Sequence, residues 1–182
     1  VSYIMRFIKD ILLIDLETSG PDLERDVVVQ FSAVLLDKDN LLEKANYSTY
    51  VRNSLLSETL QGHAASVRVD ISVLQNSPKP LDFIREVTTR FRSDSTLAVP
   101  SASQLFSFRQ MFRKQAIAFP YDLSVIDLWT LYYTFGMRIG LKKISSLHTL
   151  LDHFHVRINN PYDAFERVKL QAEVFRKILK DY

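Results

Sequence analysis

The sequence predicts an α/β domain. Three observations carry this reading. Three β-rich stretches follow one another in the N-terminal third, and from about residue 80 onward segments of helix and strand character alternate. The composition of the 182 residues, 47% hydrophobic and 24% charged with four Gly and six Pro, is that of an ordinary packed domain. The 12 Phe, eight Tyr and one Trp supply large apolar area for one core, and a chain of this size buries roughly 70% of its unfolded surface. One domain spanning residues 1–182 is expected.

Ile11 to Leu16 reads ILLIDL, a continuous apolar stretch ending at an acidic residue, which suits a central strand buried on both faces, and Gly20 and Pro21 stop it. Val27–Leu36 and Ala45–Val51 are rich in β-branched and aromatic residues, with a polar turn at Asp37 to Asn40 between them. Leu55 to Ser77 is polar and weakly periodic, which predicts loop and short helix. A firmer helix follows from Leu81 to Phe91, where Phe83, Ile84, Val87 and Phe91 recur at helical spacing.

A short strand is expected at Leu97–Val99, then a helix capped by Ser101 or Ser103 and running through Phe106, Phe108, Met111 and Phe112. Ser124–Leu128 predicts another buried strand, followed by helices over Trp129–Phe135 and Ile144–Phe154. In the last helix Phe165, Val168, Ala172, Phe175 and Leu179 form one apolar stripe, with Arg167, Lys169, Arg176, Lys177 and Lys180 largely on other faces.

The chain has no Cys, which excludes disulfides, thiol nucleophiles and iron–sulfur clusters. No apolar run approaches the length of a bilayer span, so the expectation is a soluble, cytoplasmic protein without membrane attachment. The first residue is Val and a Met stands at position 5, so a start at Met5 and a cut fragment both stay open. Charge is nearly balanced, 23 basic against 21 acidic residues. Its distribution is not: residues 1–100 hold 11 Lys and Arg against 14 Asp and Glu, and residues 101–182 hold 12 against seven. The C-terminal part therefore carries an excess of five positive charges.

The most specific local pattern is Asp15, Leu16, Glu17, Thr18, Ser19, Gly20 at the end of the first strand. Residues two apart on a strand face the same way, so Asp15 and Glu17 can aim two carboxylates at one point. Such a pair suits magnesium or manganese, which take oxygen ligands. It equally suits a solvated strand end or a pair held by a basic side chain. The four histidines, His63, His148, His153 and His155, form no ligand pair with a carboxylate and are expected to be structural, and Asp127 is expected to cap the helix that follows it. There is no Gly-rich phosphate loop and no Ser/His/Asp arrangement.

ILLIDLETSG resembles the first motif of the DnaQ-like exonucleases, the DEDD group with a ribonuclease H-like fold, which remove nucleotides from the 3′ end of DNA or RNA. VVVQFSAVLLDKDNLLEKANYSTYV is similar to that family's second and third strands. LAVPSASQLFSF occupies the place of its second motif, SVIDLWTLYY its fifth strand and next helix, SSLHTLLDHFHV the helix after that, and YDAFERVKLQAEVFRKIL the closing helix with the third motif. The resemblance covers about residues 8 to 180. It implies a mixed five-stranded sheet with the second strand antiparallel, flanked by helices, and a magnesium or manganese site above the first strand made by four acidic ligands and served by a general base.

Asp15 and Glu17 match the first motif as metal ligands and catalytic residues, and Thr18 matches the hydroxyl beside them. The second motif departs from the pattern: Pro100, Ser101 and Leu105 stand where a His, an Asn and an Asp are usual, Gln104 is uncharged, and Asp94 precedes the strand. In the third motif the general-base position falls on Tyr162 and the last acidic ligand on Arg167. A guanidinium among carboxylates repels a divalent cation and can neutralise them itself. Arg167 is therefore expected to reach Asp15 or Glu17 and to replace the metal's charge. The opposing expectation is that Asp163 or Glu166 supplies a ligand from a shifted position.

The leading functional expectation is an exonuclease-type domain that is inactive or weakly active and retains binding of single-stranded DNA or RNA. Thr18, Ser101, Arg109 and Arg113 are substrate-binding candidates, with Lys114, Lys142, Lys143 and Arg157 as further phosphate contacts. These cations read equally well as a solubilising surface. The alternatives are an active magnesium- or manganese-dependent 3′–5′ exonuclease and a scaffold for a protein partner.

Overall fold

A computed structural model describes residues 6–52, 71–141 and 147–180. Strands β1 (Ile11–Thr18), β2 (Val28–Leu36) and β3 (Glu43–Tyr50) come first, followed by helices α1 (Ile71–Gln75) and α2 (Pro80–Arg90). Strand β4 (Thr96–Val99) leads into α3 (Ala102–Lys114), and β5 (Ile126–Asp127) into α4 (Leu128–Arg138). Helices α5 (Leu147–His153) and α6 (Ala164–Lys180) end the described chain. His63, Lys142 and Lys143, the stretch 53–70 and the predicted start of the fifth helix lie outside the described residues.

The strands form one five-stranded sheet in the order β3-β2-β1-β4-β5. β2 runs antiparallel to both neighbours, whereas β1 pairs with β4, and β4 with β5, in parallel. This is the mixed sheet with an antiparallel second strand that the resemblance implies. The central position of β1 explains its apolar run from Ile11 to Ile14, because helices cover both of its faces.

Alternation along β1 divides the interior in two. Leu12, Ile14 and Leu16 pack with Phe31, Phe83, Val87, Phe108 and Phe112 against α2 and α3. Ile11 and Leu13 pack on the opposite face with Leu128, Phe135, Leu150, Val168 and Phe175, from α4, α5 and α6. Asp15 continues the Ile11, Leu13 series and so points to the α6 side.

Two expectations need correction. The strand predicted over Ser124–Leu128 is only two residues long, since it pairs with just Ala98 and Val99 near the end of the short β4. Ser101 does occupy the N-cap position of α3, but its side chain makes no capping bond. Its hydroxyl pairs instead with that of Ser103 at 2.8 Å.

Candidate functional site

Asp15 is the centre of the site and is 1% exposed. The Arg167 fork grips its carboxylate in bidentate fashion, Nη2 on Oδ1 at 2.7 Å and Nε on Oδ2 at 3.1 Å. Gln171, one helical turn further along α6, donates Nε2 to Oδ2 at 2.5 Å. Gln104, at the start of α3, donates Nε2 to Oδ1 at 3.2 Å and accepts the Leu16 N–H at 2.8 Å. Four N–H donors thus surround one buried carboxylate, and they are what make its burial affordable.

Arg167 also binds Glu17 through Nη1. The same nitrogen donates to the Pro161 carbonyl at 2.9 Å, and Nη2 reaches the Leu16 carbonyl at 3.3 Å. One guanidinium therefore bridges both carboxylates of the first motif. Burial works against its charge, but hydrogen bonds and attraction from Asp15, helped by Glu17, outweigh that and hold the Arg167 pKa above its ordinary value. Glu17 shifts the other way for a carboxylate: burial raises its pKa, Arg167 only partly offsets this, and the nearby charge of Asp15 adds to the rise. Tyr132 of α4 is buried, and burial together with the Asp15 charge pushes its phenol pKa up.

The two alternative ligands on the α6 side are engaged elsewhere. Asp163 accepts from Gln30 Nε2 at 2.9 Å and from the Phe165 N–H at 3.0 Å, while Gln30 Oε1 accepts the Ala164 N–H at 3.2 Å. Together they tie the N-terminus of α6 to β2. Glu166 binds the backbone N–H groups of Asn159 and Asn160 at 2.5 and 2.8 Å, ordering the loop before the helix. Among the described residues no group of three or more His, Asp or Glu side chains is placed to hold a metal. The donor set does not fit the two-ion site of a nuclease: a cation sits between the carboxylates where a dication would need them free.

The remaining candidates scatter. Thr18 donates its hydroxyl to the Gly20 carbonyl at 2.8 Å, a local turn bond. Leu105, in the place of a ligand, packs against the core. Tyr162 lies in the turn ahead of α6, 46% exposed. Arg109 and Arg113 are exposed on α3, with the Arg109 guanidinium 5.9 Å from the centre of the Phe119 ring. Asp127 caps α4, accepting the Thr130 N–H at 2.7 Å. His153 packs edge-on against Phe154, a structural contact.

Sequence reasoning missed Gln171, Gln30 and Tyr132. Gln171 left one trace, a polar residue beside Val168, Ala172 and Phe175 on the apolar stripe of α6. Gln30 similarly interrupts an apolar strand.

Strand order and register define a ribonuclease H-like sheet. Solved structures share it. The chain superimposes over 99% of its length on 94% of the nuclease domain of 3′hExo, a DEDDh family member bound to rAMP, at a TM-score of 0.76 and 15% identity. Over 93% of its length it matches 63% of cell-death related nuclease 4, CRN-4, at 0.76 and 16%. It also matches 41% of E. coli Exonuclease I in complex with a dT13 oligonucleotide, with 93% of its length covered, at 0.76 and 14%. The chain thus spans less than two thirds of CRN-4 and under half of Exonuclease I. No family model matches the sequence, and no curated protein matches it.

Proposed function

We propose that this chain is a DnaQ-like exonuclease domain that has exchanged its metal site for an internal cation and acts by binding single-stranded nucleic acid without cleaving it. The observation that carries the proposal is the Arg167 guanidinium bound at once to Asp15 and Glu17. Relative to four acidic ligands, two carboxylates are gone and one cation is added, a change of three charge units against a dication. Phosphodiester cleavage by this type of site needs ions that activate water and stabilise the leaving oxygen, and a bidentate arginine supplies neither.

Two features support nucleic acid as the ligand. The C-terminal part of the chain has a surplus of five positive charges, from 12 basic and seven acidic residues, suited to phosphate contacts. Proteins of the same fold have been seen with a dT13 oligonucleotide and with a histone mRNA stem-loop.

Calorimetric titration with manganese, run beside an Asp15→Ala control and a degradation assay on a 3′-labelled oligonucleotide, tests the loss of catalysis. We expect no saturable heat in either protein and no shortening of the oligonucleotide. Manganese binding that disappears in Asp15→Ala, accompanied by degradation, would overturn the proposal in favour of an active metal-dependent exonuclease.

A further inference from the structure

The outer face of α3 carries a groove that the carboxylate site does not use. It has a volume of about 310 Å³ and is lined by Phe106, Arg109, Gln110, Arg113, Ile117 and Phe119 among others, which is within the range of sites that hold small ligands. We propose that this groove binds single-stranded nucleic acid, with phosphates at Arg109 and Arg113 and a base stacked on Phe106. The inference rests on the nucleic-acid reading above and adds where the strand is held.

Charge is the first reason. Arg109 and Arg113 are four residues apart on one helix and therefore neighbours, and like charges at that spacing destabilise a helix unless an anion lies between them. Some cations elsewhere do have a carboxylate partner, as Arg90 has Glu86, Lys177 has Glu173, Lys169 has Glu43 and Lys44 has Asp10. Among the described residues neither Arg109 nor Arg113 pairs with a carboxylate. The second reason is a polar group inside the groove. Gln110 lines this groove and the neighbouring one beside Leu23 and Lys114, and its side-chain amide makes no hydrogen bond among the described residues, so it can both donate and accept.

The third reason is the aromatic character of the wall. Phe106 is 40% exposed, large for a phenylalanine with no ring partner among the described contacts. Phe119 is held from one side by the Arg109 guanidinium and from others by Phe108, Phe112 and Tyr121. An exposed ring beside guanidinium groups is how unstacked bases are bound without sequence preference. An acidic peptide would satisfy the arginines but leave Phe106 unexplained, and a duplex offers no free base face to stack.

Fluorescence anisotropy of the full chain with labelled oligothymidylate and oligouridylate, across a salt series, tests this. Phe106→Ala should weaken binding about tenfold, the order expected for one lost stacking contact. Arg109→Gln with Arg113→Gln should flatten the slope of log affinity against log salt by about 1.4, from two phosphates at about 0.7 each. Arg113→Glu alone, at an exposed position, gives a second charge variant with the fold checked by circular dichroism. If the unmodified chain binds but every variant binds equally well, the groove assignment falls and the nucleic-acid reading stands. If the unmodified chain does not bind, both fall. Displacement of the oligonucleotide by polyglutamate at equal charge concentration would also overturn it, assigning the groove to acidic protein segments.

Discussion

Arg167 does at one position what the resemblance assigns to metal ions: it makes two adjacent carboxylates compatible with burial. Its planar fork allows two parallel bonds to Asp15 while the third nitrogen turns to Glu17. Breaking a buried pair leaves a stranded charge, which costs about 3 to 5 kcal/mol. Arg167→Met should therefore lower the unfolding free energy by about 3 kcal/mol in urea titrations, the two glutamine amides softening the loss. Arg167→Lys should fall between, because an ammonium cannot span both carboxylates. A loss below about 1 kcal/mol would show that Asp15 relies mainly on Gln104 and Gln171. Of these residues Asp15, Glu17 and Arg167 are legible in the sequence, since the motif positions single them out. Gln171 and Tyr132 are not, because an amide or phenol on an apolar helix face reads as an ordinary boundary residue until the strand opposite is known to present a carboxylate.

At the scale of elements, legibility followed burial. β1 and α6 are plain because one is buried on both faces and the other has a clean stripe, whereas β5 is over-read because its apolar letters serve helix packing more than sheet pairing. Of the attachments between elements, only that of Arg167 to the carboxylates of β1 was legible. Lys169 on α6 meets Glu43 on β3 at 2.5 Å, a contact between residues 126 positions apart. Burial alone would raise the Glu43 pKa, but bonds from Lys169 and Asn46 win and hold it below the ordinary carboxylate value. A depressed folded pKa contributes stability that is present above the unfolded value and lost as pH falls through the folded one. Glu43→Gln should accordingly cost about 0.5 kcal/mol near neutrality, the size of a partly exposed pair. That difference should vanish below the carboxylate range. A gap that persists in acid would mean that Glu43 acts through its hydrogen bonding, as to Asn46, rather than through its charge.

The whole molecule hangs on one sheet with a separate apolar layer on each side, and β1 contributes to both. Phe31 is the hub of one layer, fully buried with ring centres 5.1 Å from Phe83 and 5.3 Å from Phe108. Trp129, the single tryptophan, is 39% exposed on α4, the helix whose buried side chains Leu128, Tyr132 and Phe135 belong to the other layer, and it reports on that helix. If the layers were independent, damage to the first would leave the Trp129 signal untouched. They are joined, however, because Phe31 and Leu16 pair across β2 and β1, and the residue before Leu16 is Asp15, to which both α3 and α6 are tied. Phe31→Ala should cost about 4 kcal/mol, the middle of the range for a large core aromatic. The urea midpoint seen by Trp129 fluorescence should fall by the same amount as that seen by far-ultraviolet circular dichroism, as a single cooperative transition requires. Two separated midpoints would show that the sheet does not transmit the loss, and that the Arg167 and Gln104 bonds to Asp15 fasten helices locally without coupling the layers.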